Sequence, residues 1–396
     1  MNDLAPSGER YLGLSSTEPT IPSAWYRDPV HHDRELAAIW YRNWAYLCHE
    51  SALAAPLSFR TFRIGDQTIL VLRDDKGALQ AFHNTCRHRG SELCRATQGR
   101  LKSKLLVCPY HNWGYSLQGD LVRVPHAKPV SGFEASALGL YRVHLQCWRG
   151  LVFVNLERGA PAPLEASFEP SGEALANWPL ERLVVGHSFR KELACNWKLF
   201  WENYNECLHC PGMHPELCDL VPLYGRAMMD RRDDPAFAEH ADATDPRFTG
   251  GLRAGARTWS MNGQLAGPEF PDLTPEECAA GQTFVTTLPA MFLIAHPDYV
   301  RTVRLLPLGP TRTELLAEWL FPEETLAAPG FDLANTVDFA TLVMSQDGKA
   351  CELNQRGLAA LPHERGILMP QEYEISGFHR WIREMLDDHK KGGENA

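Results

Sequence analysis

The chain has 396 residues, of which 44% are hydrophobic, and a formal net charge of −10. This length exceeds what one hydrophobic core usually organises, so we expect two domains. Acidic and basic residues are interspersed, which argues against nucleic acid and membrane as partners and favours a small molecule or a protein. No apolar run reaches the length of a membrane span and no signal-peptide core is visible, so we expect a cytoplasmic protein.

The predicted elements begin with an N-terminal arm over residues 1–47, which carries apolar residues at helical spacing from about Leu36 and is expected to pack on the second domain. Residues 48–157 predict a small antiparallel β domain, because short alternating or apolar runs are separated by turn residues. The segment GAPAP at 159–163 marks the end of this domain.

Residues 158–396 are predicted to form a second domain that combines helices with strands. Its predicted elements are, in chain order, a strand over 183–193, a helix from Asn196 to about Leu208, a loop or lid over 225–282, three strands within 290–321, a long helix from Asn335 to Leu358 and a terminal helix from Tyr373 to Lys390.

Eleven cysteines are spread along the chain without the regular spacing of a secreted disulfide scaffold, which fits a reducing compartment. Two of them belong to a metal-binding motif. The other nine are predicted to be small buried hydrophobic residues: Cys48, Cys94, Cys147, Cys195, Cys207, Cys210, Cys218, Cys278 and Cys351.

The first metal-binding motif is Cys86-x-His88 followed downstream by Cys108-x-x-His111. Each half pairs one thiolate with one imidazole, which suits a 2Fe-2S cluster with both cysteines on one iron and both histidines on the other. A structural zinc site is the alternative, but zinc motifs usually pair Cys with Cys and His with His. The spacing therefore favours an electron-transfer cluster.

The second motif is Glu206-x-x-His209-x4-His214. Glu206 and His209 are predicted to share one face of a helix, which Pro211 and Gly212 then end, so that His214 returns towards the same point. Two imidazoles can therefore converge on one metal ion.

A third ligand is needed for this mononuclear site. Asp347 on the predicted long helix is the preferred candidate, and Glu352 is the weaker one. Two histidines and one carboxylate leave coordination positions open for oxygen and substrate, the arrangement of non-haem Fe(II) oxygenases.

With both motifs in place, the chain resembles the α subunit of a Rieske non-haem iron oxygenase along nearly its full length. The runs CRHRG at 86–90, CPYHNW at 108–113 and NWKLFWENYNECLHCPGMHPE at 196–216 are similar to that family's motifs, in the same order. The resemblance implies an α+β fold, with an N-terminal Rieske β domain followed by a helix-grip (START-like) catalytic domain that has an antiparallel sheet and a long C-terminal helix.

The resemblance also implies the cofactors and their ligands. One Rieske 2Fe-2S cluster per subunit would be held by Cys86, His88, Cys108 and His111. One mononuclear Fe(II) per subunit would be held by His209, His214 and Asp347.

Members of that family usually assemble as head-to-tail homotrimers, with the cluster of one subunit close to the iron of the next. Glu206 would then link the two centres through a hydrogen bond to His111 of the neighbouring chain. No Gly-x-Gly-x-x-Gly dinucleotide fingerprint is visible, so electrons from NAD(P)H are expected to arrive through a separate flavin and iron-sulfur reductase.

Glu206, where many members have Asp, and the string from Gln346 to Gly357 look most like the branch that acts on choline, glycine betaine, carnitine and proline betaine. Leu208 departs from that branch, which commonly has Tyr there. The resemblance implies O2-dependent hydroxylation of an N-methylated compound, including oxidative N-demethylation. The alternatives are hydroxylation or dihydroxylation of an aromatic ring, a Rieske electron-transfer protein without oxygenase activity, and a zinc-stabilised interaction module.

A quaternary ammonium substrate favours a pocket of aromatic faces. The candidate residues are Trp201, Tyr204, Trp259, Phe284, Phe292 and Tyr299. Each could instead be an ordinary member of an aromatic core.

Overall fold

Five antiparallel sheets contain the strands of the computed structural model, which describes residues 10–125, 128, 130–289 and 291–393. The strands are β1 (Glu18–Pro19), β2 (Ala45–His49), β3 (Ser58–Ile64), β4 (Gln67–Arg73), β5 (Leu79–His83), β6 (Gln98–Arg100), β7 (Leu105–Val107), β8 (Gly114–Ser116), β9 (Leu121–Arg123), β10 (His144–Trp148), β11 (Leu151–Asn155), β12 (Val184–Leu193), β13 (Thr283–Thr287), β14 (Met291–Ala295), β15 (Val300–Gly309), β16 (Arg312–Phe321) and β17 (Ile367–Leu368). The α-helices are α1 (Pro29–Glu35), α2 (Trp197–Tyr204), α3 (Cys210–Met213), α4 (Pro215–Leu220), α5 (Pro246–Thr249), α6 (Pro275–Ala280), α7 (Glu323–Ala327), α8 (Leu333–Gly357) and α9 (Tyr373–Gly393).

The N-terminal arm contains α1, a π-helical turn over Leu36–Trp40 and the start of β2. The helix begins earlier than the apolar repeat predicted, because the Asp28 side chain accepts a hydrogen bond from the Val30 N–H and Pro29 occupies the first turn. Strand β2 crosses the predicted boundary between residues 47 and 48. Residues 1–9 of the predicted arm lie outside the described residues.

A buried ion pair attaches the arm to the second half of the chain. Lys198 Nζ of α2 lies 2.6 Å from Glu35 Oε1, and both side chains are fully buried. Trp197 Nε1 donates to the other carboxylate oxygen at 3.0 Å, and the Trp197 ring meets that of Trp40 edge-on. The arm is therefore part of the core that supports α2.

The predicted small β domain comprises three sheets, with strand orders β5-β4-β3-β6, β7-β8-β9 and β10-β11-β2. Its core lies between the first two sheets and includes Leu70, Phe82, Leu106 and Tyr115. The loop that follows β5 and the turn between β7 and β8 lie next to each other, since the rings of His88 and His111 are 4.6 Å apart between centroids.

The second half of the chain is built on a five-stranded sheet of order β12-β16-β15-β14-β13. The long helix α8 packs against β12 and α2. The predicted α+β class, with an antiparallel catalytic sheet and a long C-terminal helix, is confirmed, as are the strands expected over 183–193 and within 290–321. Strand β13 was not predicted, and Ala290, expected to open the next strand, lies outside the described residues.

Residues 225–282 are largely irregular, as predicted, but they include α5 and α6 and bury several large side chains. Those side chains are Phe237, Leu252, Trp259 and Phe270. This segment therefore packs against the rest of the second half of the chain through buried apolar side chains.

Three of the nine remaining cysteines, Cys48, Cys195 and Cys351, are the buried free thiols that were predicted, whereas Cys94, Cys218 and Cys278 are only half-buried. The other three contradict the prediction. Cys207 and Cys210 form a disulfide, because the turn between them brings their Cα atoms to 5.0 Å. Cys147 is exposed, since it lies on the solvent face of β10. Within the described part of the chain, no helix has the length and apolar character that crossing a membrane requires.

Candidate metal centres

The four predicted cluster ligands lie on two adjacent loops, with Cys86 and His88 after β5 and with Cys108 and His111 between β7 and β8. Both loops are tight turns. Gly90, at φ +76°, donates its N–H to the Cys86 carbonyl at 2.9 Å. Asn112, also with positive φ, donates in the same way to the Cys108 carbonyl at 3.1 Å.

The two thiols are buried and surrounded by hydrogen-bond donors. Tyr115 Oη lies 3.2 Å from Cys86 Sγ, and both Cys86 and Cys108 are at most 3% exposed. Burial raises the pKa of Cys86, whereas for Cys108 burial is outweighed by backbone N–H groups of Tyr110 and His111, which lower its pKa. Donors directed at sulfur suit thiolate ligands.

The two imidazoles lie on the outer side of the thiols. The rings of His88 and His111 are 4.6 Å apart between centroids, and His88 is exposed. His88 also stacks on Trp113, with 8° between the ring planes. Two thiols with two imidazoles beside them fit a 2Fe-2S cluster that would have both cysteines on one iron and both histidines on the other.

The second motif adopts a different local structure from the one predicted. Helix α2 ends at Tyr204 instead of Leu208, so Glu206 lies in a turn, and His209 directly precedes α3. Pro211 lies in the first turn of α3 and does not end a helix. Backbone N–H groups in a first turn have no partner within the helix, so a proline fits there. The turn nevertheless brings Glu206 against His209.

His209, His214 and Asp347 meet at one point. One ligand atom from each lies within 4.8 Å of the others. Asp347 Oδ1, from α8, lies 2.8 Å from His214 Nε2 and 3.4 Å from His209 Nε2. Glu352 lies outside this group and accepts the Ala194 N–H at 3.1 Å, so the weaker candidate for the third ligand was wrong.

The outward nitrogen of each imidazole has a carboxylate or amide oxygen beside it. Glu206 Oε1 lies 2.5 Å from His209 Nδ1, and Gln346 Oε1 lies 2.6 Å from His214 Nδ1. Gln346 is itself oriented by Glu216, which accepts from its Nε2 at 2.6 Å. Such acceptors place the proton on Nδ1 and leave Nε2 free for a metal ion.

The electrostatics of the site favour a cation. Burial lowers the pKa of His209, but the hydrogen bonds with Asp347 and Glu206 outweigh it and raise this pKa to about 9. The pKa of His214 is also raised by Asp347, and that of Asp347 is lowered by both imidazoles in spite of its burial. A divalent ion would replace these protons, and the two-histidine, one-carboxylate donor set fits Fe(II).

A cavity of about 50 Å3 opens beside the three ligands. The predicted pocket residues Tyr204, Trp259 and Phe284 line it, together with Tyr224, which the sequence did not single out. Trp201 lines an adjoining cavity of about 460 Å3, which shares Glu206 and Phe284 with the smaller one.

Two predicted pocket residues lie elsewhere. Phe292 is 1% exposed and packs on Tyr204 with 4.4 Å between ring centroids. Tyr299 is fully buried and donates its hydroxyl to the Trp259 carbonyl at 2.8 Å. Both therefore support the cavity wall from behind. Leu208 lines neither cavity.

Two known protein families match the two parts of the chain separately. Residues 43–134 match the Rieske [2Fe-2S] domain, and residues 180–388 match the ring hydroxylating alpha subunit catalytic domain. The glycine betaine monooxygenase oxygenase subunit of Chromohalobacter salexigens is 28% identical over 387 residues, covering 93% of this chain and 86% of the relative. The chloroplastic choline monooxygenase of Spinacia oleracea is 25% identical over 383 residues, covering 93% and 78%.

Solved structures share the fold. A quaternary ammonium Rieske monooxygenase crystallised with L-carnitine has a TM-score of 0.69 at 20% identity, covering 93% of this chain and 96% of that one. Naphthalene 1,2-dioxygenase from Rhodococcus sp. has a TM-score of 0.72 at 22% identity, with coverage of 93% and 94%.

The catalytic-domain match spans more than half of the 396 residues, and the Rieske match covers the region that holds the cluster motif. These domains bind a 2Fe-2S cluster and a mononuclear iron, and the family oxidises small molecules with O2 and electrons from a separate reductase. The chain therefore belongs to the ring-hydroxylating α subunit family, as a Rieske-type oxidoreductase and terminal oxygenase.

Proposed function

We propose that this oxygenase hydroxylates an N-methyl group of a small N-methylated or quaternary ammonium compound. The observation that carries the proposal is the convergence of His209, His214 and Asp347 on the wall of a cavity that is lined by four aromatic rings. An aromatic face stabilises a cation by about 0.5 to 2 kcal/mol. The names of the glycine betaine and choline monooxygenase relatives support the same substrate class.

In this proposal His209, His214 and Asp347 hold the iron, which supplies O2 activation when bound. Cys86, His88, Cys108 and His111 hold the cluster that stores the electrons. Glu206 and Gln346 keep the two imidazoles in the orientation that metal binding needs. The surrounding rings exclude water from the substrate and hold its cationic group.

The overall reaction consumes one O2, two electrons and two protons for each N-methyl group. One oxygen atom enters the C–H bond to give an N-hydroxymethyl group, and the other leaves as water. The hydroxymethyl compound then loses its O–H proton, and the C–N bond electrons go to nitrogen. Formaldehyde and a demethylated amine are released.

We further propose a head-to-tail homotrimer in which Glu206 reaches the cluster of a neighbouring chain. The Glu206 side chain is 11% exposed, and its carboxylate already engages His209 and the Leu208 N–H. Carboxylate oxygens each have two lone pairs, so one more donor can be accepted. His111, which is half-buried on the cluster loops, would supply that donor from the neighbouring chain and would couple the two centres.

Single-turnover chemistry tests the substrate class. The holoenzyme is reduced chemically without air, exposed to labelled O2 with N-methylated amines and simple aromatics, and its products are identified by mass spectrometry. Formaldehyde with a demethylated amine supports the proposal. A hydroxylated or diol aromatic product instead assigns the chain to ring oxidation, and an iron content of two per chain without any product assigns it to electron transfer alone.

A further inference from the structure

Arg301 is a buried arginine on β15 whose guanidinium lines the same cavity as the candidate iron ligands. The residue is 2% exposed. Its Nη2 donates to the Tyr204 hydroxyl at 3.2 Å, and its guanidinium lies 5.8 Å from the centroid of the Trp259 ring. Its Nε is buried and has no hydrogen-bond partner.

No carboxylate among the described residues lies within 4.0 Å of this guanidinium. Arg304, three residues along the same strand and equally buried, shows the usual arrangement. It pairs with Glu314 at 2.5 Å and also donates to the Leu47 carbonyl. An arginine side chain stays charged in proteins, and a buried charge without a counter-ion is strongly unfavourable. Arg301 is thus a charged group that is prepared for an anion that the protein itself does not supply.

We propose that the substrate carries a carboxylate and that Arg301 binds it. This inference rests on the proposed function and narrows it, because it selects N-methylated amino acids of the betaine type over N-methylated alcohols. A carboxylate matches the planar guanidinium through two parallel hydrogen bonds. Arg301 and the three iron ligands line one small cavity, so the carboxylate and the oxidised N-methyl group belong to a single short molecule.

Both signs of charge are present on the cavity wall. Arg301 supplies the positive charge, and Glu206 supplies a negative charge that stays when a metal ion neutralises Asp347. The rings of Tyr204, Trp259 and Phe284 lie in the same wall and suit the ammonium group. A zwitterion is therefore complementary to this cavity, whereas a compound with only the ammonium group leaves Arg301 without a partner.

Two ligand pairs test the proposal on the intact holoenzyme by isothermal titration calorimetry. Glycine betaine and choline share a trimethylammonium group and differ in a carboxylate against a hydroxymethyl group. Benzoate and toluene compare a carboxylate with a methyl group on an aromatic ring. The wild-type protein should bind the carboxylate ligand more tightly in at least one pair. Arg301→Gln should weaken the binding of that carboxylate by about 10- to 100-fold and leave the affinity for choline or toluene unchanged.

Arg301→Lys keeps the positive charge but cannot form two parallel hydrogen bonds with a carboxylate. Its preference for the carboxylate ligand should therefore lie between those of the wild type and Arg301→Gln. This variant also provides the test if Arg301→Gln does not fold. A wild-type protein that binds neither carboxylate, or shows no preference in either pair, overturns the proposal, as does an Arg301→Gln protein that keeps the preference. An Arg301-dependent preference for benzoate alone supports the carboxylate site while contradicting the proposed N-methyl substrate.

Discussion

Gln346 Oε1 lies 2.6 Å from Nδ1 of His214, on the side of the imidazole that faces away from Asp347. We expect Gln346→Leu to weaken iron binding at the mononuclear site by about 10- to 100-fold, because the Nδ1–H loses the acceptor that orients the ring. Competition with a coloured Fe(II) chelator measures this. Ser345→Ala is the matched control, since the Ser345 hydroxyl donates only to Thr341 within α8. Unchanged affinity in Gln346→Leu would show that packing alone orients His214.

Asp347 and Glu352 are both acidic residues of α8, but only Asp347 faces the two histidines. Asp347→Ala should lower the iron content from three to two per chain and leave the visible absorption of the cluster intact, because the cluster ligands lie in the other domain. Glu352→Ala should keep all three irons. Iron analysis together with absorption spectra distinguishes these results, and three irons in Asp347→Ala would remove Asp347 from the ligand set.

Glu206→Gln should retain both metal centres and lose turnover by about 10- to 100-fold, because the neutral amide no longer couples His209 to a donor from the neighbouring chain. Iron content, the spectrum of the reduced cluster and the steady-state rate are measured on the same preparation. Loss of the mononuclear iron in this variant would instead mean that Glu206 mainly orients His209. Normal turnover with normal iron content excludes both roles.

The ion pair between Glu35 and Lys198 is fully buried, so removing the Glu35 carboxylate leaves the Lys198 ammonium without a contacting counter-ion among the described residues. Glu35→Gln should lower the free energy of unfolding by about 3 to 5 kcal/mol. Glu157→Gln is the control, because Glu157 pairs with Arg42 at the surface and should contribute about 0 to 1 kcal/mol. Urea unfolding followed by tryptophan fluorescence measures both. Equal midpoints would show that the Glu35 carboxylate does not stabilise the attachment of the arm.

Asp298 holds the segment next to Trp259 by accepting from the Thr258 hydroxyl at 2.7 Å and the Ala266 N–H at 2.6 Å. Burial raises the pKa of Asp298 from 3.8 to about 6, although these hydrogen bonds oppose it. A raised pKa means that the folded protein binds the proton more tightly than the unfolded chain. The resulting stabilisation is complete below about pH 4 and is lost as the pH rises through about 6.

Relative to Asp298→Asn, whose side chain does not titrate, the wild type should therefore gain about 1 to 1.5 kcal/mol of unfolding free energy between pH 7.5 and pH 5. Urea unfolding at several pH values gives this difference. A difference between the two proteins that does not vary with pH would show that Asp298 is ionised throughout this range.

Residue type and spacing indicated that His209 and His214 would approach each other, and the structure brings them together with Asp347. That these three side chains bind iron stays a prediction. Spacing could not predict that Glu206 and His209 lie on a turn, since Pro211 can either end a helix or begin one. Glu206 and His209 are nevertheless in contact, as the predicted helix also required, because a turn and a helix both bring residues three positions apart close together. The large strands were predictable from their apolar runs, and α8 was predictable because its sequence contains no proline and few glycines.

Contacts between distant parts of the chain account for most of what was missed. Gln346 reaches His214 across 132 positions, and Arg301, on the central strand β15, lines the cavity together with residues that are distant in sequence. No local pattern separates Phe292 and Tyr299, which lie in the core, from Phe284, which faces the cavity. The disulfide had a local signal in the Cys-x-x-Cys spacing of Cys207 and Cys210, but the irregular spread of the eleven cysteines favoured free thiols.

Strand β2 limits how the two domains can be exchanged between related oxygenases. Ala45 and Tyr46 pair with Val154 and Phe153 of β11, although they precede the boundary that composition suggests. A fragment that begins at residue 48 lacks Ala45 and Tyr46, so part of β11 is left without its β2 partner. Such an unpaired strand edge promotes aggregation. Chimeras in which the exchanged segment begins before Ala45 would contain all the hydrogen bonds between β2 and β11 and should remain monodisperse.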